Sequence, residues 1–68
     1  MGLFSKPITV KAKVVQPMMG EMPGCQFEFE DGQRGILRVP GKMFAQLVPG
    51  DTGTLTYKGN NATEWVRD

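Results

Sequence analysis

A chain of 68 residues holds one domain, and its eight basic and seven acidic side chains, well mixed along its length, leave a net charge of +1. That balance argues against a dedicated nucleic-acid binder, which shows a basic excess, and against an acidic disordered tail. Histidine, the commonest general base and metal ligand, does not occur, and a single cysteine, Cys25, excludes an internal disulfide. A chain this short buries only about 60% of the surface its unfolded form exposes. Self-association is therefore the most available aid to stability. One inward-facing thiol fits a reducing cytoplasm, which is the expected compartment. No apolar run approaches the roughly 18 residues of a membrane span. Residues 1–6 are too short for the apolar region of a signal peptide, and Ser5 stands one place too early for a myristoylation signal. Residues 1–7 are read as a flexible or docked arm of a single domain covering 1–68.

In chain order, Ile8, Val10, Ala12 and Val14 alternate with Thr9, Lys11 and Lys13, the period-2 pattern of a strand with one buried face. Pro17 is expected to end it, and Met18 to Gly24, with one proline and two glycines, reads as a loop. Phe27 and Phe29 then alternate with Gln26, Glu28 and Glu30. Asp31-Gly32 turns the chain and a second strand returns. A two-residue Asp31-Gly32 loop pairs Phe29 with Arg34 and Cys25 with Arg38, mixing guanidinium groups into an aromatic core. A three-residue Glu30-Asp31-Gly32 loop instead pairs Phe27 with Gly35 and Cys25 with Leu37. It sets Glu28 opposite Arg34, a pair worth about 0.2–1 kcal/mol. This register is preferred, and it expects Leu37 and Val39 inward and Ile36 outward.

Pro40-Gly41 closes the third strand. In the following segment, 42–48, Met43 or Phe44 and Leu47 stand three or four apart, as one or two helical turns plugging a barrel end require. Thr52 to Lys58 is a strand with Leu55 and Tyr57 inward, Gly59-Asn60-Asn61 a tight turn, and 62–67 a last strand anchored by Trp65. The order predicts an all-β fold: a small five-stranded antiparallel barrel with a short helical turn between strands three and four. That order is OB-like. An SH3-like barrel, whose helical turn precedes its last strand, is the runner-up.

Three elements in sequence carry a resemblance: Phe27-Glu-Phe-Glu-Asp-Gly32, Leu37-Arg-Val-Pro-Gly-Lys42 and Gly50-Asp-Thr-Gly-Thr-Leu-Thr-Tyr-Lys-Gly59. From Phe27 to Arg67 the chain resembles a group of small bacterial domains of unknown function sharing F-x-F-x-D-G, L-x-V-P-G-K and G-D-x-G-x-L-x-Y-x-G. Members of that group often carry aromatics in the final strand, where this chain has Ala62 and keeps Trp65. The resemblance implies a small β domain and no particular activity.

The residues offer little reaction chemistry. Ser5 and Cys25 lack a histidine to activate them, and a thiol on the core face is inert packing. Glu28 and Glu30 share a solvated strand face, which gives neither the burial nor the shaped pocket that an acid–base pair needs. No enzyme activity and no cofactor are expected. Met18, Met19, Met22 and Cys25 gather four soft sulfur groups, a conceivable Cu(I) set, although loop methionines more commonly fold back as adaptable gap fillers or form a contact surface. Arg34, Arg38, Lys11 and Lys13 make a modest basic stripe that Glu28 interrupts. Single-stranded nucleic acid on the outer face of strands two and three is therefore the alternative function. The preferred reading is a non-catalytic binding or scaffolding module with a protein partner or a second copy of itself. Its expected interaction surface is Met18, Met19, Met22, Gln26, Glu28, Arg34, Ile36 and Arg38, with Val15 and Phe4 extending the apolar patch.

Overall fold

The computed structural model describes residues 6–68. The expected arm, with Phe4, lies outside the described residues, except for Lys6 and Pro7, which are exposed. Six elements follow in order: β1 (Ile8–Met18), β2 (Gly24–Phe29), β3 (Arg34–Arg38), the helical turn α1 (Gly41–Phe44), β4 (Thr52–Lys58) and β5 (Asn61–Arg67). They form a small all-β domain whose five-stranded mixed sheet closes in a ring, β1-β2-β3-β5-β4 and back to β1.

The expectation of an antiparallel barrel is corrected at one seam. β3 and β5 run parallel and meet only at Arg38 and Asn61, whereas the other four neighbours are antiparallel. The reason is geometric. Strand direction must alternate around an all-antiparallel ring, and five strands cannot alternate and also close. One pair has to be parallel. Such a pair also needs a long connection, and the chain supplies it between β3 and β5 as α1, β4 and the turns on either side. The ring is thus closed by a single pair and is not a regular barrel.

The hairpin takes the three-residue loop. Phe27 opposes Gly35, Cys25 opposes Leu37 and Glu28 opposes Arg34. Gly32 takes φ 85°, where a side chain would be strained. The Asp31 carboxylate accepts the Gln33 N–H at 3.0 Å, fixing the turn. Leu37 and Val39 are buried and Ile36 is 61% exposed, as that register requires.

Two bulges depart from simple alternation. In β1 the register against β2 shifts between Val14 and Gln16, leaving Val15 as the extra residue. β1 then continues past the expected stop at Pro17 to Met18, with Pro17 opposite Cys25. Proline is tolerated there because β4 pairs with β1 only from Ile8 to Lys13, so the second edge of β1 is free at Pro17. In β5 the register shifts opposite Thr56 and Tyr57, making Thr63 the extra residue. That shift lets Ala62 and Trp65, three apart, both face inward.

The core collects Val14, Cys25, Phe27 and Leu55, all without solvent exposure, with Ala12, Leu37, Val39, Met43, Leu47, Ala62 and Trp65 around them. Phe27 and Trp65 pack at 5.7 Å between ring centroids, tilted by 43°. α1 is four residues long and stands only because Met43 and, just beyond it, Leu47 dock into this core. Pro40 enters it in an extended conformation, and its carbonyl accepts the Phe44 N–H at 2.8 Å. No charged side chain is buried among the described residues.

Candidate interaction surface

The bulge at Val15 and the extension of β1 to Met18 precede the methionine loop, which shares a concavity with the end of β3. Met18 ends opposite Gly24, and Gly24 opposes Arg38. The result is a groove of about 560 Å³ whose walls include Met18, Met19, Met22, Ile36, Arg38 and Asn60. Met19 is 74% exposed and Met22 57%, so with Ile36 they put three large apolar side chains into solvent on one side of the ring. Asn60 was not foreseen in this surface. It arrives through ring closure, where its carbonyl accepts the Arg38 N–H at 2.8 Å, and no local pattern announces that contact.

The other expected members lie elsewhere. Gln26 opposes Ile36 in the ladder but does not line the groove, and Glu28 and Arg34 face each other further towards the hairpin loop. Glu28 instead borders a separate depression of about 210 Å³ with Lys11, Lys13, Phe29 and Asp68. Val15 is half-buried and lines no part of the groove.

The charges do not form a continuous basic stripe. Glu28 sits between Lys13 on β1 and Arg34 on β3. Lys11 is engaged by Asp68 at 2.9 Å, and that hydrogen bond holds the Asp68 carboxyl below its ordinary range. Both side chains are about half exposed, so the pair contributes little to stability. Arg67 and Asp51 meet at 3.5 Å. Neither Arg34 nor Arg38 closes an ion pair among the described residues.

Cys25 does not converge with the methionines. Its side chain lies in the core with Val14, Phe27 and Leu55, and its thiol makes a long 3.5 Å contact to the Gln26 carbonyl. Met19 and Met22 point into solvent. Burial pushes the thiol pKa from 9.0 up to about 11. The folded value is the higher one, so the neutral buried thiol contributes stability fully below pH 9 and loses it as pH rises towards about 11. Native protein is expected to react with an aromatic disulfide reagent only through opening, with urea above the midpoint accelerating labelling by about 100-fold or more. Rapid labelling of the folded protein at neutral pH contradicts this burial.

No family model matches the chain, and no curated protein matches it.

Proposed function

We propose that this chain is a non-catalytic interaction module that receives a protein partner on the groove between the methionine loop and β3. The observation that carries the reading is the joint exposure of Met19, Met22 and Ile36 around one concavity. Flexible thioether side chains adapt to a partner's surface, and apolar groups clustered in this way mark contact sites. The ring itself reads as OB-like: its strand order and the position of α1 between β3 and β4 support that topology over an SH3-like one. The three elements shared with the bacterial domain group fall on the β2–β3 hairpin, the β3–α1 junction and β4, consistent with a common scaffold. A cytoplasmic setting and self-association belong to the same reading.

Photo-methionine incorporated in cells tests it. Cross-links from Met19 and Met22 to a defined protein are expected, and an Ile36→Asp variant should lose them by about tenfold. Labelling that is absent, or indifferent to Ile36→Asp in a folded variant, removes the proposal.

The guanidinium groups of Arg34 and Arg38, which close no ion pair among the described residues, favour a second reading, single-stranded nucleic acid on the outer face of β2 and β3. Against it, Phe27 is buried and Phe29 is partly buried against the core, so no fully exposed ring stands on this face for base stacking among the described residues. A thymidine oligonucleotide that binds at about 0.05 M salt and is released steeply as salt rises supports this second reading.

A further inference from the structure

β3 has one satisfied edge and one open edge. Antiparallel pairs alternate between residues that exchange backbone hydrogen bonds and residues that do not. Two contacts fix the phase: Phe29 donates to the Gln33 carbonyl at 2.8 Å, and Val39 donates to the Pro23 carbonyl at 3.1 Å. Gln33, Gly35, Leu37 and Val39 therefore turn their N–H and C=O groups towards β2, while Arg34, Ile36 and Arg38 turn theirs away. The Arg38 N–H is taken by Asn60, but β5 pairs with β3 nowhere else. The backbone N–H and C=O of Arg34 and Ile36 have no protein partner among the described residues.

The side chains of the same three residues share the outer face of the sheet, because residues two apart point the same way. The open edge thus carries a basic, apolar, basic pattern, with Ile36 exposed and neither guanidinium group in an ion pair among the described residues. Of the carboxylates, Glu28 lies opposite Arg34, and Glu21 lines the groove together with Arg38.

A second copy of the chain suits this edge poorly. Antiparallel pairing of two β3 edges needs even-numbered residues opposite one another. The three registers that engage Arg34 place it against Arg34, against Ile36, or against Arg38. The first and third oppose like charges directly, and the second leaves arginine facing isoleucine.

We infer that the open edge of β3 takes an extended peptide as an added strand, one with acidic side chains at positions i and i+4 around an apolar residue at i+2. In antiparallel pairing the apolar residue lies opposite Ile36 and exchanges both backbone hydrogen bonds with it. One acidic residue lies opposite Arg34. The other reaches Arg38 by its side chain, since Asn60 already occupies the backbone there. Strand addition supplies affinity through the main chain and selectivity through alternate side chains. This inference rests on the interaction-module reading and names its partner class.

The probe is acetyl-Glu-Thr-Val-Thr-Glu-Thr-amide, titrated into the full-length protein and followed by amide NMR and hydrogen exchange. The Arg34 and Ile36 amides should shift and gain protection, with a Kd near about 1 mM, as a short edge allows. Raising salt from about 0.05 to about 0.5 M should weaken binding several-fold. Replacing both acids of the peptide by lysine should abolish it. N-methylation of the peptide valine, whose N–H faces Ile36, should also abolish binding, whereas N-methylation of the threonine after it should not. That comparison leaves the protein unaltered and does not depend on a variant folding. An Arg34→Glu/Arg38→Glu variant should lose the acidic peptide and gain the lysine one.

Silence of the Arg34 and Ile36 amides at about five times the expected Kd overturns the inference, as does equal binding of the lysine peptide. Shifts confined to Met19 and Met22 overturn the edge while leaving the groove reading standing. Protection of Arg34 and Ile36 that grows with protein concentration in the absence of peptide assigns the edge to a second copy and likewise overturns it.

Discussion

Gly53→Ala is expected to destabilise the domain by about 3 kcal/mol or more, lowering Tm by roughly 12–24 °C for a chain of this size. Gly53 sits inside β4, paired with Ala12 on one side and Arg67 on the other. A methyl group there runs into the Val66 carbonyl oxygen, with Arg67 Cα and Trp65 Cη2 both at 3.0 Å. Two of these three atoms are backbone of the adjoining strand, so relief requires β4 and β5 to separate, and moving the indole alone does not suffice. Gly41→Ala is the control. It has nothing within 4 Å and lies at the start of α1, where alanine favours the helix, so it should be neutral or slightly stabilising. Thermal and urea melts of the two variants, read by circular dichroism, decide the matter. A Gly53→Ala protein within about 0.5 kcal/mol of the parent shows that the β4–β5 approach is looser than described.

Gly53 also marks a limit of what a sequence exposes. Its neighbourhood, Asp51-Thr52-Gly53-Thr54, reads as the start of a strand, and nothing in it shows that β5 passes within methyl distance. The hairpin was legible because one local choice had a chemical consequence: a two-residue loop places arginine among phenylalanines, and a three-residue loop does not. The segment that becomes α1 was legible from the spacing of Met43 and Leu47 between two Pro-Gly boundaries. The bulges were not. A period-2 reading has no place for an extra residue, so Val15 hid the continuation of β1 through Pro17, and Thr63 hid how Ala62 and Trp65 both turn inward. The parallel seam lay within reach of argument, since five strands cannot close with every neighbour antiparallel. Its position at Arg38 and Asn61 depended on contacts 23 residues apart in the chain.

The same distinction runs through the interaction surface. Met19, Met22 and Ile36 are recognisable one at a time, as apolar residues in a loop and on the wet face of a strand. Their convergence needed β1 to reach Met18, and that needed the bulge. In sequence Glu28 and Arg34 belong with them, because a strand face looks continuous there. In the folded ring the groove stops at Ile36, and Glu28 turns to the depression beside Lys11 and Lys13. The open edge of β3 comes from ring closure rather than residue type, since it exists because β5 begins beside Arg38 and runs on past it.

Phe27→Ala should have the largest effect of any single truncation. Phe27 has no solvent exposure and lies in contact with Trp65 at the centre of the core. Removing a buried phenylalanine ring costs about 3–5 kcal/mol, because transfer energy and cavity terms add. Domains of this size hold only about 5 kcal/mol in total, so the loss approaches the whole stability. The variant is therefore expected to be largely unfolded at room temperature, without a cooperative thermal transition. Trp65 is the only tryptophan, so its emission reports the event directly: buried in the parent, it should shift to the red in Phe27→Ala before any heating. Phe27→Leu retains most of the volume and should keep a cooperative melt with a loss of about 1–2 kcal/mol. Ile36→Ala, equally apolar but exposed on β3, should change stability by less than about 0.5 kcal/mol. The contrast between Phe27 and Ile36 tests the register itself, because a one-residue slip of the hairpin exchanges which of β3's side chains face the core. If Ile36→Ala destabilised the protein as much as Phe27→Leu, the outward face of β3 would have to be reassigned, and the open edge with it.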